Sequence, residues 1–200
     1  MLSYLLDAFS GPAAPFLYAL LAIMGFSVAV FIERVYTLVR SRVDAAAVLA
    51  RAQAAIQAGT APELGETPLE SVIAAGFAQS DPELGWEAMQ AAAVDAEQRI
   101  RQRIPYLASV ASVSTMVGLF GTVYGLIRAF AAMGGVAAAE RAARLSEGSS
   151  TAMAATAFGL FVAIPALAAH AVLDSQARSM LAAIESTAGR VHVLRRGRRA

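Results

Sequence analysis

Residues 104–127 read IPYLASVASVSTMVGLFGTVYGLI, and residues 149–173 read SSTAMAATAFGLFVAIPALAAHAVL. Neither stretch contains an Asp, Glu, Lys or Arg. A helix needs about 20 apolar residues to cross the roughly 30 Å of hydrocarbon in a bilayer, and both stretches are long enough. A third uncharged run covers residues 8–32 and ends before Glu33-Arg34. The sequence therefore predicts an all-α membrane protein with three transmembrane helices and long cytoplasmic helical extensions.

The composition agrees with a membrane protein and argues against several other classes. Hydrophobic residues make up 58% of the chain and charged residues 16%, which is far from the average of soluble domains. The chain has no Cys, so disulfides and thiolate metal ligands are excluded, and two His are too few for a His-rich metal site. We expect no cofactor, and the net charge of +1 does not favour nucleic-acid binding.

The orientation follows from the basic residues, all of which are Arg. Basic residues accumulate in cytoplasmic loops. With the N-terminus outside, thirteen Arg lie inside and only Arg128, Arg141 and Arg144 lie outside. The first fifteen residues carry no basic residue, and the apolar run behind them is too long for a signal peptide, so we interpret it as a retained anchor.

These patterns predict four segments. They are a first transmembrane helix (1–38), a cytoplasmic helical region (39–103), transmembrane helices two and three with a short periplasmic connection (104–175), and a cytoplasmic C-terminal helix with an Arg-rich tail (176–200). In the cytoplasmic region, TPLE at 67–70 and SDPE at 80–83 both match a capping box with Pro in the first turn. We expect the helix that opens at Ser80 to run into the second span and to bend at Pro105.

Small residues line one face of each of the last two spans. In the membrane, helices approach closely where such residues meet. Each set recurs at helical spacing, which predicts helix packing or a pore lining. The second span contributes Ser114, Gly118, Gly121, Thr122 and Gly125, and the third contributes Ala152, Ala155, Thr156, Gly159 and Ala163.

Two threonines on these faces are expected at the same depth. Thr122 lies near the outer end of the second span and Thr156 near the outer start of the third, so an antiparallel pair brings both to some 7–8 Å below the outer boundary. One interpretation is that each hydroxyl only bonds the carbonyl four residues earlier. The other is that the two hydroxyls form a shared polar site.

Neither span carries a carboxylate, so the chain cannot relay protons across the membrane alone. His170 lies near the inner end of the third span and is interpreted as an interfacial or packing residue in preference to a relay member. Pro165 is expected to kink the third span, either for shape alone or as a hinge that leaves a carbonyl free.

Two motifs carry a resemblance to a known family. Residues 117–127, VGLFGTVYGLI, are similar to the second-span motif of the ExbB/TolQ/MotA family, and residues 156–166, TAFGLFVAIPA, are similar to its third-span motif. The likeness is strong over roughly residues 100–175. The chain has no long cytoplasmic domain of the flagellar-stator kind, so it resembles the ExbB/TolQ branch most.

The resemblance implies a function that the residues alone do not reveal. Members form the outer ring of ion-driven motors in the bacterial inner membrane, typically five copies around two copies of a partner. That ExbD/TolR-like partner has one transmembrane helix with an essential Asp, and it stands in the central pore. Protons, or sodium in some members, are the coupling ion. The resemblance also implies that Thr122 and Thr156 line the ion route and that the load is a TonB-like or other envelope protein.

The chain departs from the family pattern at three places. Ser114-Thr115 stands where Ala-Pro is usual, Thr151 stands where Glu is usual, and His170-Ala171 replaces Tyr-Asn. Thr115, Thr151 and His170 are therefore candidates for an accessory role beside the two threonines.

Other functional classes compete with the motor. A structural membrane scaffold would use the small faces for packing only. An enzyme is not expected, because His170 lies about 21 Å along the helix from Thr156, too far for a nucleophile and its base. The terminal RRGRR at 195–199 is interpreted as a contact with anionic lipid at the cytoplasmic face and not with nucleic acid.

Overall fold

The computed structural model describes residues 9, 13–42, 44–134 and 137–198, without the side chains of residues 138, 139, 147 and 151. Within these ranges the chain forms six α-helices and no β-strand, which confirms the all-α fold class. The helices are α1 (Ala14–Arg40), α2 (Ala45–Ala58), α3 (Pro68–Phe77), α4 (Pro82–Arg101), α5 (Ile104–Ala131) and α6 (Ala138–Gly197).

Helices α1, α5 and α6 contain the three predicted spans. Each contains a stretch that is long and apolar enough to cross a membrane. Large apolar side chains cover the outward face of α5, where Met116, Phe120 and Ile127 are 68%, 60% and 60% exposed. An exposed surface of this kind is expected to face lipid or another apolar helix and not water.

The chain divides into two compact units. The first consists of Met1–Glu33 and Arg103–Ala171, and the second of Arg34–Gln102 and Val172–Ala200. Helices α1 and α6 contribute residues to both units.

The first unit packs α1, α5 and α6 against one another through two buried clusters. Leu17 of α1 packs with Ala154 of α6, and the rings of Phe9 and Phe158 lie beside them. The second cluster combines α5 and α6 and is contacted by Ile23 of α1; its buried members are Val110, Ala111, Ala163 and Ala166.

The second unit has its own apolar core. Gly76 of α3 lies so close to Met89 of α4 that a methyl group added there would come within 2.6 Å of the Met89 side chain. The C-terminal half of α6 joins this unit, and its His192 ring lies 5.1 Å from the ring of Trp86. Arg195 donates to the carbonyl oxygens of Gly76 and Gln79 and covers the Phe77 ring.

The connection into the second span differs from the expectation. Helix α4 ends at Arg101, and Arg103 adopts a left-handed backbone conformation with φ of 63° before α5 begins. The prediction of one continuous helix bent at Pro105 is therefore wrong. Pro105 has no N–H for the carbonyl of Arg101, and its fixed backbone angle suits the first turn of a helix, so it lies in the first turn of a new helix.

The two predicted capping boxes are also formed differently. Helix α4 is capped by Asp81, whose Oδ1 accepts from the Glu83 N–H at 2.7 Å, so the expected cap at Ser80 is wrong by one residue. At α3 the cap is Thr67 as expected, but its hydroxyl donates to the Glu70 carboxylate at 2.6 Å instead of accepting from the backbone.

Candidate functional site

The predicted small faces of α5 and α6 meet inside the first unit. On α5, Ser114, Gly118, Gly121 and Gly125 are buried, and on α6 so are Ala152, Ala155, Gly159 and Ala163. A methyl group added at Gly125 would lie 2.9 Å from the Ala152 Cβ, and one added at Gly121 would lie 2.8 Å from the Ala155 Cβ. We call the contact of Gly118, Gly121 and Gly125 with Ala152, Ala155 and Gly159 the small-residue interface.

Backbone meets backbone at the centre of this interface. A methyl group added at Gly118 would lie 3.0 Å from the Ala155 carbonyl oxygen and 3.1 Å from the Gly159 Cα. One added at Gly159 would lie 2.8 Å from the Ser114 carbonyl oxygen and 2.9 Å from the Gly118 Cα. Only glycine fits this approach at both positions, because any side chain would meet main-chain atoms that cannot rotate away.

The two threonines lie side by side at this interface. The hydroxyl oxygens of Thr122 and Thr156 are in direct contact, and both side chains are partly buried. The Gly118 carbonyl oxygen lies 3.3 Å from the Thr122 hydroxyl and 3.2 Å from the Thr156 hydroxyl, and the Ala152 carbonyl oxygen lies 3.1 Å from the Thr122 hydroxyl. The two hydroxyls therefore lie level with one another along the paired helices, whereas their depth below a membrane boundary stays a prediction.

Both interpretations of the threonines describe part of this geometry. Thr122 reaches the carbonyl four residues earlier, as a purely local hydroxyl would. Thr156 instead reaches across to Gly118 of the neighbouring helix. The result is a cluster of two hydroxyls and two carbonyl oxygens, which we call the threonine site.

The remaining predicted residues lie around this site. Ala163 belongs to the apolar cluster with Val110 and Ala111. Thr115 is exposed on α5, and its hydroxyl donates to the Ala111 carbonyl at 3.0 Å. His170 is half-buried on α6, Pro165 is exposed inside α6, and the Thr151 side chain lies outside the described residues.

One part of the threonine site was not predicted from the sequence. The carbonyl oxygens of Gly118 and Ala152 are backbone atoms, and no residue type identifies them. The available signal was the glycine itself, since a residue without a side chain leaves its carbonyl accessible to a neighbouring helix.

The chemistry of the threonine site is that of neutral oxygen ligands. Hydroxyls donate and accept hydrogen bonds, and carbonyls accept them, so the site can hold water, a hydrated cation or an incoming carboxyl group. None of these groups titrates near neutral pH. Among the residues that the structure describes, no group of three or more His, Asp or Glu side chains could hold a metal ion.

An ion pair also lies at the end of the first unit where α5 begins. Arg103 Nη1 is 2.6 Å from Glu33 Oε2, and both side chains are almost half exposed. Glu33 directly follows the first uncharged run, and Arg103 is the residue that precedes α5. Such exposed pairs contribute little to stability.

Comparison with known proteins gives the relationship directly. The sequence profile of the MotA/TolQ/ExbB proton channel family matches residues 64–186. The chain is 36% identical over 129 residues to the Tol-Pal system protein TolQ of Pseudomonas aeruginosa, covering 57% of this chain and 54% of that protein. It is 47% identical over 73 residues to TolQ of Haemophilus influenzae, covering 36% of this chain and 32% of that protein.

A second group of relatives consists of biopolymer transport proteins. The chain is 36% identical over 91 residues to the biopolymer transport protein ExbB of Salmonella typhimurium, covering 44% of this chain and 36% of that protein. Its matches thus span between about a third and about half the length of these curated relatives. Because the family profile covers more than half of the chain, including both spans of the threonine site, this protein belongs to the MotA/TolQ/ExbB proton channel family, on its ExbB/TolQ branch.

Proposed function

We propose that this chain is a ring-forming subunit of a proton-driven motor in the bacterial inner membrane. Together with an Asp-bearing, single-span partner of the ExbD/TolR kind, it would convert the proton motive force into mechanical work on the cell envelope. Family membership and the Tol-Pal and biopolymer-transport roles of its relatives support this proposal.

The observation that carries the proposal is the threonine site. It gathers four oxygen atoms between two membrane helices, in spans that contain no carboxylate. A proton route needs a group that binds and releases the proton, and in membranes this is usually Asp, Glu or His. A partner carboxylate that approaches Thr122 and Thr156 would supply that group, and the hydroxyls would stabilise it by hydrogen bonds.

The proposed assembly is the one that the family resemblance implies. A homo-pentamer around a partner dimer would place five threonine sites around the two Asp side chains, and a TonB-like or other envelope protein would be the load. Moving one charge through 100 mV supplies about 2.3 kcal/mol, so several protons per stroke supply usable work.

The proposed topology has a periplasmic N-terminus and a cytoplasmic C-terminus. The excess of Arg in the segments at 34–103 and 178–199 supports it. Arg196 and Arg198 are exposed and suited to anionic lipid at the cytoplasmic face, whereas Arg195 is bound within the second unit.

The first prediction tests the threonine site. In the native host, Thr122→Ala or Thr156→Ala should abolish gradient-driven proton uptake by membrane vesicles, because the partner carboxyl group loses its hydrogen-bond donor. Thr122→Ser and Thr156→Ser keep the hydroxyl and should retain uptake. Co-purification with the partner should be unchanged in all four variants, and full uptake in the double alanine variant would refute the ion-route role.

A structural scaffold is the second candidate, and one observation favours it. Both hydroxyls already have carbonyl acceptors within the chain, so they could serve packing alone. A scaffold would keep its cellular role after an uncoupler dissipates the gradient, and a motor would lose it. Loss on removal of sodium, with the proton gradient intact, would identify a sodium-driven variant instead.

A further inference from the structure

Ser114 differs from every other serine and threonine of α5. Ser109, Ser112, Thr115 and Thr122 each place their hydroxyl within hydrogen-bonding distance of the carbonyl four residues earlier; these distances are 3.4, 3.2, 3.0 and 3.3 Å. Ser114 is completely buried, and its hydroxyl has no hydrogen-bond partner among the described residues. Buried polar atoms without a protein partner are rare and are usually satisfied by water or an ion.

The position of Ser114 connects it to the threonine site. It lies on the buried face of α5, eight residues and therefore about 12 Å along the helix axis from Thr122. Gly118, whose carbonyl oxygen lies within hydrogen-bonding distance of both threonine hydroxyls, lies midway between them. The Ser114 carbonyl also borders Gly159 of α6, so Ser114 is part of the same helix crossing.

Beyond Ser114 the crossing becomes apolar. The next residues on this face, Val110 and Ala111, pack against Ala163 and Ala166 of α6. The polar side chains on this buried face of α5 form a line that begins at the threonine pair and runs towards the inner end of α5. Ser114 is therefore the last polar side chain in this line. A hydroxyl both donates and accepts hydrogen bonds, so a water molecule bound there can continue that line.

We propose that Ser114 binds a water molecule that extends the ion route inward from the threonine site. This inference rests on the proposed function. It assigns Ser114 as a positioning residue, since the hydroxyl would orient the water and would not itself carry the proton. It also gives a reason for a buried hydroxyl where alanine would pack without an unsatisfied polar atom.

The experiment compares Ser114 with Ser112, an exposed serine of the same helix at nearly the same height. In the native host, Ser114→Ala should lower proton uptake by membrane vesicles roughly fivefold, as expected for one lost hydrogen bond. Ser112→Ala should leave uptake unchanged. Thermal unfolding in detergent adds an independent readout. If the Ser114 hydroxyl binds a water molecule, Ser114→Ala should not raise the melting temperature. If the hydroxyl is buried without any partner, Ser114→Ala should raise it.

A second measurement asks whether water reaches the site. The chain has no native Cys, so Ser114→Cys and Ser112→Cys each provide a unique thiol. Thiol reagents attack the thiolate, which forms only where water is present. A small cationic thiosulfonate should modify Ser114→Cys in the energised complex and spare Ser112→Cys.

The two proposals fail in distinguishable ways. Unchanged uptake in Ser114→Ala, an unreactive Ser114→Cys thiol, or a stabilised Ser114→Ala variant overturns the water site while Thr122→Ala still abolishes uptake. Full uptake in both threonine variants overturns the proposed function itself.

Discussion

Glu70 is a buried carboxylate of the second unit with several hydrogen-bond partners. It is 6% exposed and accepts hydrogen bonds from the Thr67 hydroxyl at 2.6 Å and from Arg51 Nη2 at 2.8 Å. It also accepts hydrogen bonds from the backbone N–H groups of Gly65 and Thr67. The Thr67 hydroxyl, followed by Arg51 and the two N–H groups, lowers the pKa of Glu70 below its ordinary value of 4.5, although burial opposes the shift. Its ionised form therefore stabilises the fold.

This arrangement predicts a pH-dependent loss of stability in Glu70→Gln. Because the folded state lowers the pKa, the contribution is fully present above about pH 4.5 and disappears as the pH falls through the folded-state pKa. Glu70→Gln should therefore cost about 1–3 kcal/mol at neutral pH and much less in acid. Thermal unfolding of the detergent-solubilised chain across this pH range measures the difference.

Glu66→Gln is the matched control, since Glu66 lies in the loop just before α3 and is exposed. It should leave the melting temperature unchanged at every pH. Equal behaviour of the two glutamine variants would show that the Glu70 contacts do not stabilise the fold.

Single residues were predicted well where their neighbours lie close in sequence. The pairing of Thr67 with Glu70 follows from the capping-box pattern, although the hydroxyl donates to the carboxylate instead of capping the backbone. Arg51 could not be predicted as the third member, because it reaches Glu70 from another helix. The contacts of Arg195 with Gly76 and Gln79 were missed for the same reason, since the partners lie more than a hundred residues apart.

At the scale of helices, the small-residue interface predicts that a methyl group added inside it lowers stability, whereas a methyl group added at an open position does not. Gly159→Ala would place its Cβ against main-chain atoms of Ser114 and Gly118, so α5 and α6 must move apart. We expect a loss of about 1–3 kcal/mol, typical of an overpacked contact. Proton uptake should fall as well, because the separation moves Thr156 away from Thr122.

Gly25→Ala in α1 is the control for the glycine substitution. An added methyl group at Gly25 meets nothing within 4 Å. This variant should keep or slightly raise the melting temperature, since alanine is the better helix former by about 1 kcal/mol. A Gly159→Ala variant as stable as Gly25→Ala would contradict the close contact.

The helices themselves were predictable because uncharged runs of more than 20 residues have few alternatives to a membrane helix. Small residues at helical spacing also identified which faces of α5 and α6 meet. The break at Arg103 was not predictable from pattern alone. Nothing in the sequence marks the left-handed conformation, which Arg seldom adopts, and Pro105 is compatible with either a bent helix or a new one.

At the scale of the whole molecule, the distribution of Arg predicts the sidedness of the loops. In the cysteine-free chain, Ala61→Cys lies in the exposed segment between α2 and α3, and Ala137→Cys lies exposed before α6. A membrane-impermeant thiol reagent should label Ala137→Cys in cells with a permeabilised outer membrane and should label Ala61→Cys only in inverted inner-membrane vesicles.

Both labelling patterns follow from the excess of Arg in the segments that should stay inside. The reverse pattern would invert the proposed topology while leaving the helices and the threonine site as described. The subunit count and the partner depend on contacts between chains. The sequence of one chain gives information on such contacts only by comparison with its relatives.

The approach of Gly118 to Gly159 also has a mechanical consequence. Where two main chains touch directly, no rotamer change can loosen the crossing, so α5 and α6 can be displaced there only by sliding or tilting as stiff rods. A force applied to one of these helices is then transmitted to the other, because no side chains lie between them that could change rotamer. Glycine is usually associated with a flexible backbone, but here it forms a rigid contact between two helices.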